Sequence, residues 1–114
     1  MRVLVCGSRN YGNYTRILKQ LSDLPSETTV IHGACSGADA LAACAAESLG
    51  FEVEPFLADW GKYGKAAGPI RNSEMLATMP DLVLAFHGDL SKSKGTKDTV
   101  FKANRAGIEV RLIS

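Results

Sequence analysis

Short apolar runs alternate with amphipathic stretches along the whole chain. Residues 2–6 (RVLVC) form a nearly continuous apolar run that ends in Gly-Ser, the pattern of a strand buried on both faces. Residues 15–24 then place Ile17, Leu18, Leu21 and Leu24 on one helical face, and Pro25 stops the helix. Residues 28–32 (TTVIH) are β-branched and predict a second strand. Residues 39–49 predict an alanine-rich helix with Gly50 as its C-cap. Residues 52–57 predict a third strand. A third helix takes Pro69 in its first turn and ends near Met79-Pro80. Residues 81–86 (DLVLAF) predict a fourth strand, 96–106 a fourth helix closed by Gly107, and 109–113 (EVRLI) a fifth strand. Long irregular segments are expected only at 10–14, 59–68 and 87–95.

This alternation predicts an α/β fold: a five-stranded parallel sheet with helices on both faces, in three layers. Right-handed crossovers favour a doubly wound order, 3-2-1-4-5, over residues 1–114 as a single domain. In such a sheet all strand-to-helix turns lie at the carboxyl edge, and strands one and four meet at the switch point. Four glycine-bearing segments follow strands and should converge there. They are Gly7-Ser8-Arg9, the stretch from His32-Gly33 to Ser36-Gly37-Ala38-Asp39, residues 59–72, and Gly88 through Ser93-Lys94-Gly95-Thr96. Glycines let backbone N–H groups approach a phosphate, and helix N-termini carry partial positive charge. A nucleotide-type binding crevice is the expectation.

Composition narrows this reading. The apolar fraction, 46%, is ordinary, and the net charge of +1 gives no global field for nucleic acid or an anionic membrane. A local basic pocket stays open. No apolar run reaches the roughly 18 residues of a membrane span. Met1-Arg2 leads directly into a strand without a signal-peptide pattern, so a cytoplasmic protein is expected. Cys6, Cys35 and Cys44 are odd in number and lack metal spacing, which reads as reduced thiols. No metal site and no cofactor are expected.

Several side chains have both a binding and a structural reading. Ser93-Lys94-Gly95-Thr96 can cradle phosphate, with Lys94 as a point charge, or can be a helix capped by Thr96. Ser36 and Asp39 fit the S-x-x-D capping pattern; alternatively Gly33 and Gly37 approach ligand and Asp39 orients a hydroxyl or another loop. Arg71, near a helix N-terminus, opposes the macrodipole, a conflict that a bound anion removes. An ion pair with Asp59, Glu74 or Asp98 is the other reading, and Asn72 can hold loop backbone. Trp60 and Tyr63 can stack on a base, or Trp60 can plug the core. Lys65 is either a phosphate contact or a solvated lysine. Arg9, beside Ser8, meets phosphate or an acidic loop. His32 and His87 read as hydrogen-bonded spacers, and no catalytic residue is assigned.

Four blocks in order, GSR, HGxxxGAD, ADWxxYGKAAGPIRNxxM and AFxG…SKGTKD, cover essentially the whole chain. They resemble the YspA-like (cpYpsA-related) group of the SLOG superfamily. The resemblance implies a Rossmann-like domain that binds a nucleotide or nucleotide-derived ligand, such as an ADP-ribose derivative or cyclic nucleotide. It implies relatives frequent in phage genomes, often homo-oligomeric, with a sensing or sequestering role. LOG-type phosphoribohydrolases are relatives too, but their GGxGTxxE glutamate is replaced here by Thr99, with Asp98 one residue early, about 100° around a helix. Residues 87–92 also replace the paired glycines. The enzyme reading is therefore left as the alternative. A second alternative, single-stranded DNA binding of the DprA kind, lacks a basic stripe.

Overall fold

The computed structural model describes residues 1–87 and 93–114. Five strands, β1 (Arg2–Gly7), β2 (Thr29–His32), β3 (Glu52–Pro55), β4 (Leu82–Phe86) and β5 (Glu109–Ile113), form one sheet. Their order is β3-β2-β1-β4-β5, and every pair is parallel. The doubly wound order expected from the alternation is the one observed. β1 lies at the centre, with Leu4 beside Ile31 of β2 and Val83 of β4.

Side-chain alternation along β1 builds two cores. Val3 and Val5 face one side with Val30, Leu82, Leu84 and Phe86. There they meet Ile17 and Leu21 of α1 (Tyr14–Ser22) and the alanines of α2 (Ala38–Ser48). Leu4 and Cys6 face the other side with Ile31, Val83 and Ala85, against α4 (Ala67–Ala77) and α5 (Lys94–Arg105). Burial on both faces explains why β1 and β4 read as unbroken apolar runs. The small residues Ala38, Ala42, Ala45 and Ala46 are themselves in this core, which lets α2 lie close to the sheet.

Three local readings differ from the sequence expectation. β3 ends at Pro55, two residues early, and Leu57 leaves the sheet to become 80% exposed. The segment expected to be irregular holds a short helix, α3 (Trp60–Tyr63), and a 3-10 turn (Gly64–Ala66). Asp59 nucleates α3: its carboxylate accepts from the Lys62 N–H at 3.0 Å. The fourth expected helix, α5, begins at Lys94, so Ser93 and not Thr96 occupies the N-cap. Among the described residues no helix is long and apolar enough to cross a membrane.

Candidate functional site at the carboxyl edge

The turn after β1 is held by backbone contacts that demand small residues. Ser8 N–H donates to Phe86 O of β4, and Ser8 O accepts from Tyr11 and Ala38, the last at 3.1 Å. A Cβ on Gly7 would collide with Phe86 O and sit 2.6 Å from the Ala38 Cβ. Gly37, the N-cap of α2, has φ +73° and abuts Ser8 O and the Arg9 backbone. The capping-box reading of Ser36 and Asp39 is thus replaced: no side chain caps α2, and Ser36 Oγ donates to Arg9 O at 3.5 Å. The tight docking of the two turns takes the place of a cap.

Asp39 turns back into the loop that precedes its helix. Its Oδ2 accepts from Gly33 N–H at 2.9 Å and from Cys35 N–H at 3.5 Å. Arg71, on α4, crosses the same loop. Nη1 donates to Gly33 O at 2.7 Å and Nε donates to Asn72 Oδ1 at 3.1 Å. A Cβ on residue 33 would lie 2.9 Å from Nη1, so Gly33 is bare because the guanidinium lies across it. Arg71 is only 8% exposed. It forms none of the expected ion pairs with Asp59, Glu74 or Asp98. Asn72 instead links α4 to α5, donating to Asp98 Oδ2 at 3.0 Å and to Gly95 O at 3.4 Å.

Burial pushes the Asp39 carboxyl up to about 6, against the pull of the two backbone N–H donors and of Arg71 and Arg9. The folded state therefore keeps a proton on Asp39 between about pH 4 and 6, where the unfolded chain has lost it. The sign is the reverse of a salt-bridged aspartate. The contribution of Asp39 to stability is greatest below about pH 4 and is lost as pH rises through about 6, on the order of 3 kcal/mol in all. Urea unfolding of wild type and Asp39→Asn at pH 4.5 and 7.5 checks this. The wild type should lose ground to the variant at the higher pH, and parallel profiles would refute the assignment.

These elements border a cleft of about 480 Å³ between the turns after β1 and β2, α4 and the start of α5. Of the residues expected to bind ligand, Gly7, Ser8, Arg9, Gly33, Asp39, Arg71, Asn72, Ser93, Lys94, Gly95 and Thr96 line it. Ser36 and Trp60 line a second cavity of about 320 Å³, which shares Arg9, Gly33, Cys35 and Arg71 with the first. Gly37, Tyr63 and Lys65 line neither. Gly37 is taken up by packing against the β1 turn, while Tyr63 in α3 and Lys65 in the 3-10 turn are exposed. Gly88 lies outside the described residues.

Trp60 is 52% exposed and is therefore not the core plug. No side chain caps α5, whose first turn faces the cavity; Ser93 Oγ donates instead to Thr96 Oγ1 at 2.7 Å. Cys6, Asn10, Cys35, Met75 and Thr99 also line the first cavity, beyond the residues expected from sequence. Met75 was legible as the position one turn beyond Arg71. Cys6 forms the floor, its thiol pushed far up by burial and then by the Asp39 charge, so it is unreactive there. His32 is a spacer as expected: Nδ1 accepts from Ala34 N–H at 2.9 Å, and burial lowers its pKa.

The family described as YAcAr, "YspA, cpYpsA-related SLOG family", matches residues 1–63. The Gene 61 protein of Mycobacterium phage D29 is 40% identical over 118 residues, covering 96% of this chain and 93% of that protein. The X-ray structure of DNA processing protein A (DprA) from Streptococcus pneumoniae superposes with a TM-score of 0.78 at 21% identity, over 99% of this chain. The chain spans half the length of that protein.

Proposed function

Since this chain belongs to the YspA, cpYpsA-related SLOG family, we propose that it binds a nucleotide-derived small molecule at the carboxyl edge of the sheet, as a sensor or a sequestering protein. One observation carries the reading. Two arginines and the uncapped N-terminus of α5 line a single cavity at the switch point between β1 and β4. An anionic group there meets backbone N–H groups, the positive end of a twelve-residue helix and the guanidinium of Arg71. Arg71 Nη2 makes no hydrogen bond among the described residues, so one face of the fork is left for ligand.

The placement of Thr99 and Asp98 supports binding without turnover. N-glycosidic hydrolysis needs charge stabilisation at the ribose and a positioned base for water. Thr99 occupies the cavity wall and spends its hydroxyl on Gly95 O at 3.1 Å. Asp98 is outside the wall, held by Lys102 Nζ at 2.9 Å and by Asn72. Asp39 alone among the carboxylates of the described residues lines the cavity, and this is the observation that favours hydrolysis as the second reading. DNA binding, which the name of DNA processing protein A raises, would need a basic stripe that a net charge of +1 does not supply.

Mass spectrometry of small molecules released from the purified protein, followed by calorimetry with AMP, GMP, ADP-ribose and cyclic nucleotides, tests the proposal. A saturable complex with at least one of them is expected. Free-base release should stay far below about 1 s⁻¹, the low end of ordinary enzymatic turnover. No binding across the panel or from cell extract would sink the proposal. Rapid base release lost in Asp39→Asn would favour the hydrolase.

A further inference from the structure

Only the second cavity is bordered by large exposed apolar side chains. The first is lined by backbone, hydroxyls and charge together with Cys6 and Met75. The second is lined by Leu57, Ala58, Ala34 and Trp60 together with Ser36, and by Gly33, Cys35, Arg9 and Arg71 at its border with the first. Leu57 is 80% exposed and Trp60 52% exposed, two large apolar side chains left open to water beside the two arginines. Gly68 shows how the two meet. A Cβ there would lie 3.3 Å from Cη2 of Trp60 and 3.8 Å from Nη2 of Arg71. The indole ring and the unused guanidinium nitrogen therefore flank the same bare glycine, within reach of one small molecule. Asp59, at the N-cap of α3, fixes the start of the helix that carries the indole.

We infer that the second cavity is a subsite for an aromatic ring stacked on Trp60, and that the ligand carries two rings joined through phosphate. This rests on the nucleotide reading above and narrows it to dinucleotide-like molecules. The first cavity takes one nucleoside and the α5 end of the linker. Arg9 and Arg71 take linker phosphate at the border. The second ring lies on Trp60 with Leu57 and Ala58 at its edge. A second phosphate group is disfavoured deep in that lobe, because among its lining residues only the border arginines are charged. A ring is favoured, since stacking needs only an exposed π-face.

Trp60 is the only tryptophan of the chain, so tryptophan emission is sensitive to occupancy of this lobe. The probes are AMP as the one-ring molecule and NAD, linear di-adenylate and cyclic di-guanylate as two-ring molecules, each titrated by calorimetry and by tryptophan emission. At least one two-ring probe should bind about five- to a hundredfold more tightly than AMP and shift the emission. Trp60→Ala should collapse that affinity ratio toward one, and Trp60→Phe should retain most of it. AMP binding with no gain for any two-ring probe, or AMP shifting the emission as strongly as they do, would overturn the subsite while leaving the nucleotide reading standing. A thymidine oligonucleotide that shifts the emission with affinity growing beyond two nucleotides would also overturn it, in favour of a nucleic-acid strand. Calorimetric silence from all four probes would bring down the nucleotide reading itself, and this inference with it.

Discussion

Gly37→Ala should unfold at far lower urea than the wild type, by about 3 kcal/mol or more. Two costs combine. The backbone at Gly37 has φ +73°, a region that side-chain-bearing residues enter at a penalty of about 1–2 kcal/mol. A Cβ there also runs into Ser8 O and the Arg9 carbonyl group, which are backbone atoms that cannot rotate away. To make room, the β1 turn must retreat from α2 and lose the Ala38 N–H to Ser8 O bond. Overpacking of this kind adds about 1–3 kcal/mol. Against a total stability of about 5–15 kcal/mol, the loss is large. Gly12→Ala is the control, because nothing lies within 4 Å of its Cβ and its φ is unremarkable. It should stay within about 0.5 kcal/mol of wild type. A Gly37→Ala protein as stable as Gly12→Ala would mean that the two turns can separate freely, and the described site would lose its rigid floor.

Glycine at 37 was legible as a site signal but for the wrong reason. Sequence alone marks a glycine after a strand as a place where ligand can approach. Here the close approach is made by the neighbouring turn of the protein, 28 and 29 positions away in Arg9 and Ser8. Local periodicity carries no information about such a contact. The same limit explains Arg71. Its position near a helix start was visible, but the carbonyl it serves lies 38 residues away, on a loop after another strand. α3 was missed because four residues are too few for a helical period, and its three nearby glycines read as loop. What was legible is what the sheet itself dictates. β1 and β4 are buried on both faces, so their composition announces them. Parallel strands with right-handed crossovers must deliver their turns to one edge. That topology, and not any single motif, brought Arg9, Arg71 and Lys94 to one cavity.

Arg71→Ala should weaken both nucleotide binding and the fold, and the two losses can be separated. The guanidinium is nearly buried and satisfies Gly33 O and Asn72 Oδ1. Removing it leaves those acceptors without their donor, at about 2–4 kcal/mol of stability. Asp39 also loses one of the two positive charges that hold its carboxyl down, so its pKa should climb above about 6. For binding, a lost charged hydrogen bond of about 1.5–3 kcal/mol corresponds to roughly a ten- to hundredfold weaker complex. Calorimetry at low temperature, with folding of the variant verified by circular dichroism, reads the binding loss; urea unfolding without ligand reads the other. Arg71→Lys should recover part of the binding through its charge but little of the stability, because an ammonium cannot reach Gly33 O and Asn72 together in the fork geometry. Wild-type affinity in a folded Arg71→Ala protein would show that the arginine only braces the loop, and the anion would then have to be held by Arg9 and the start of α5.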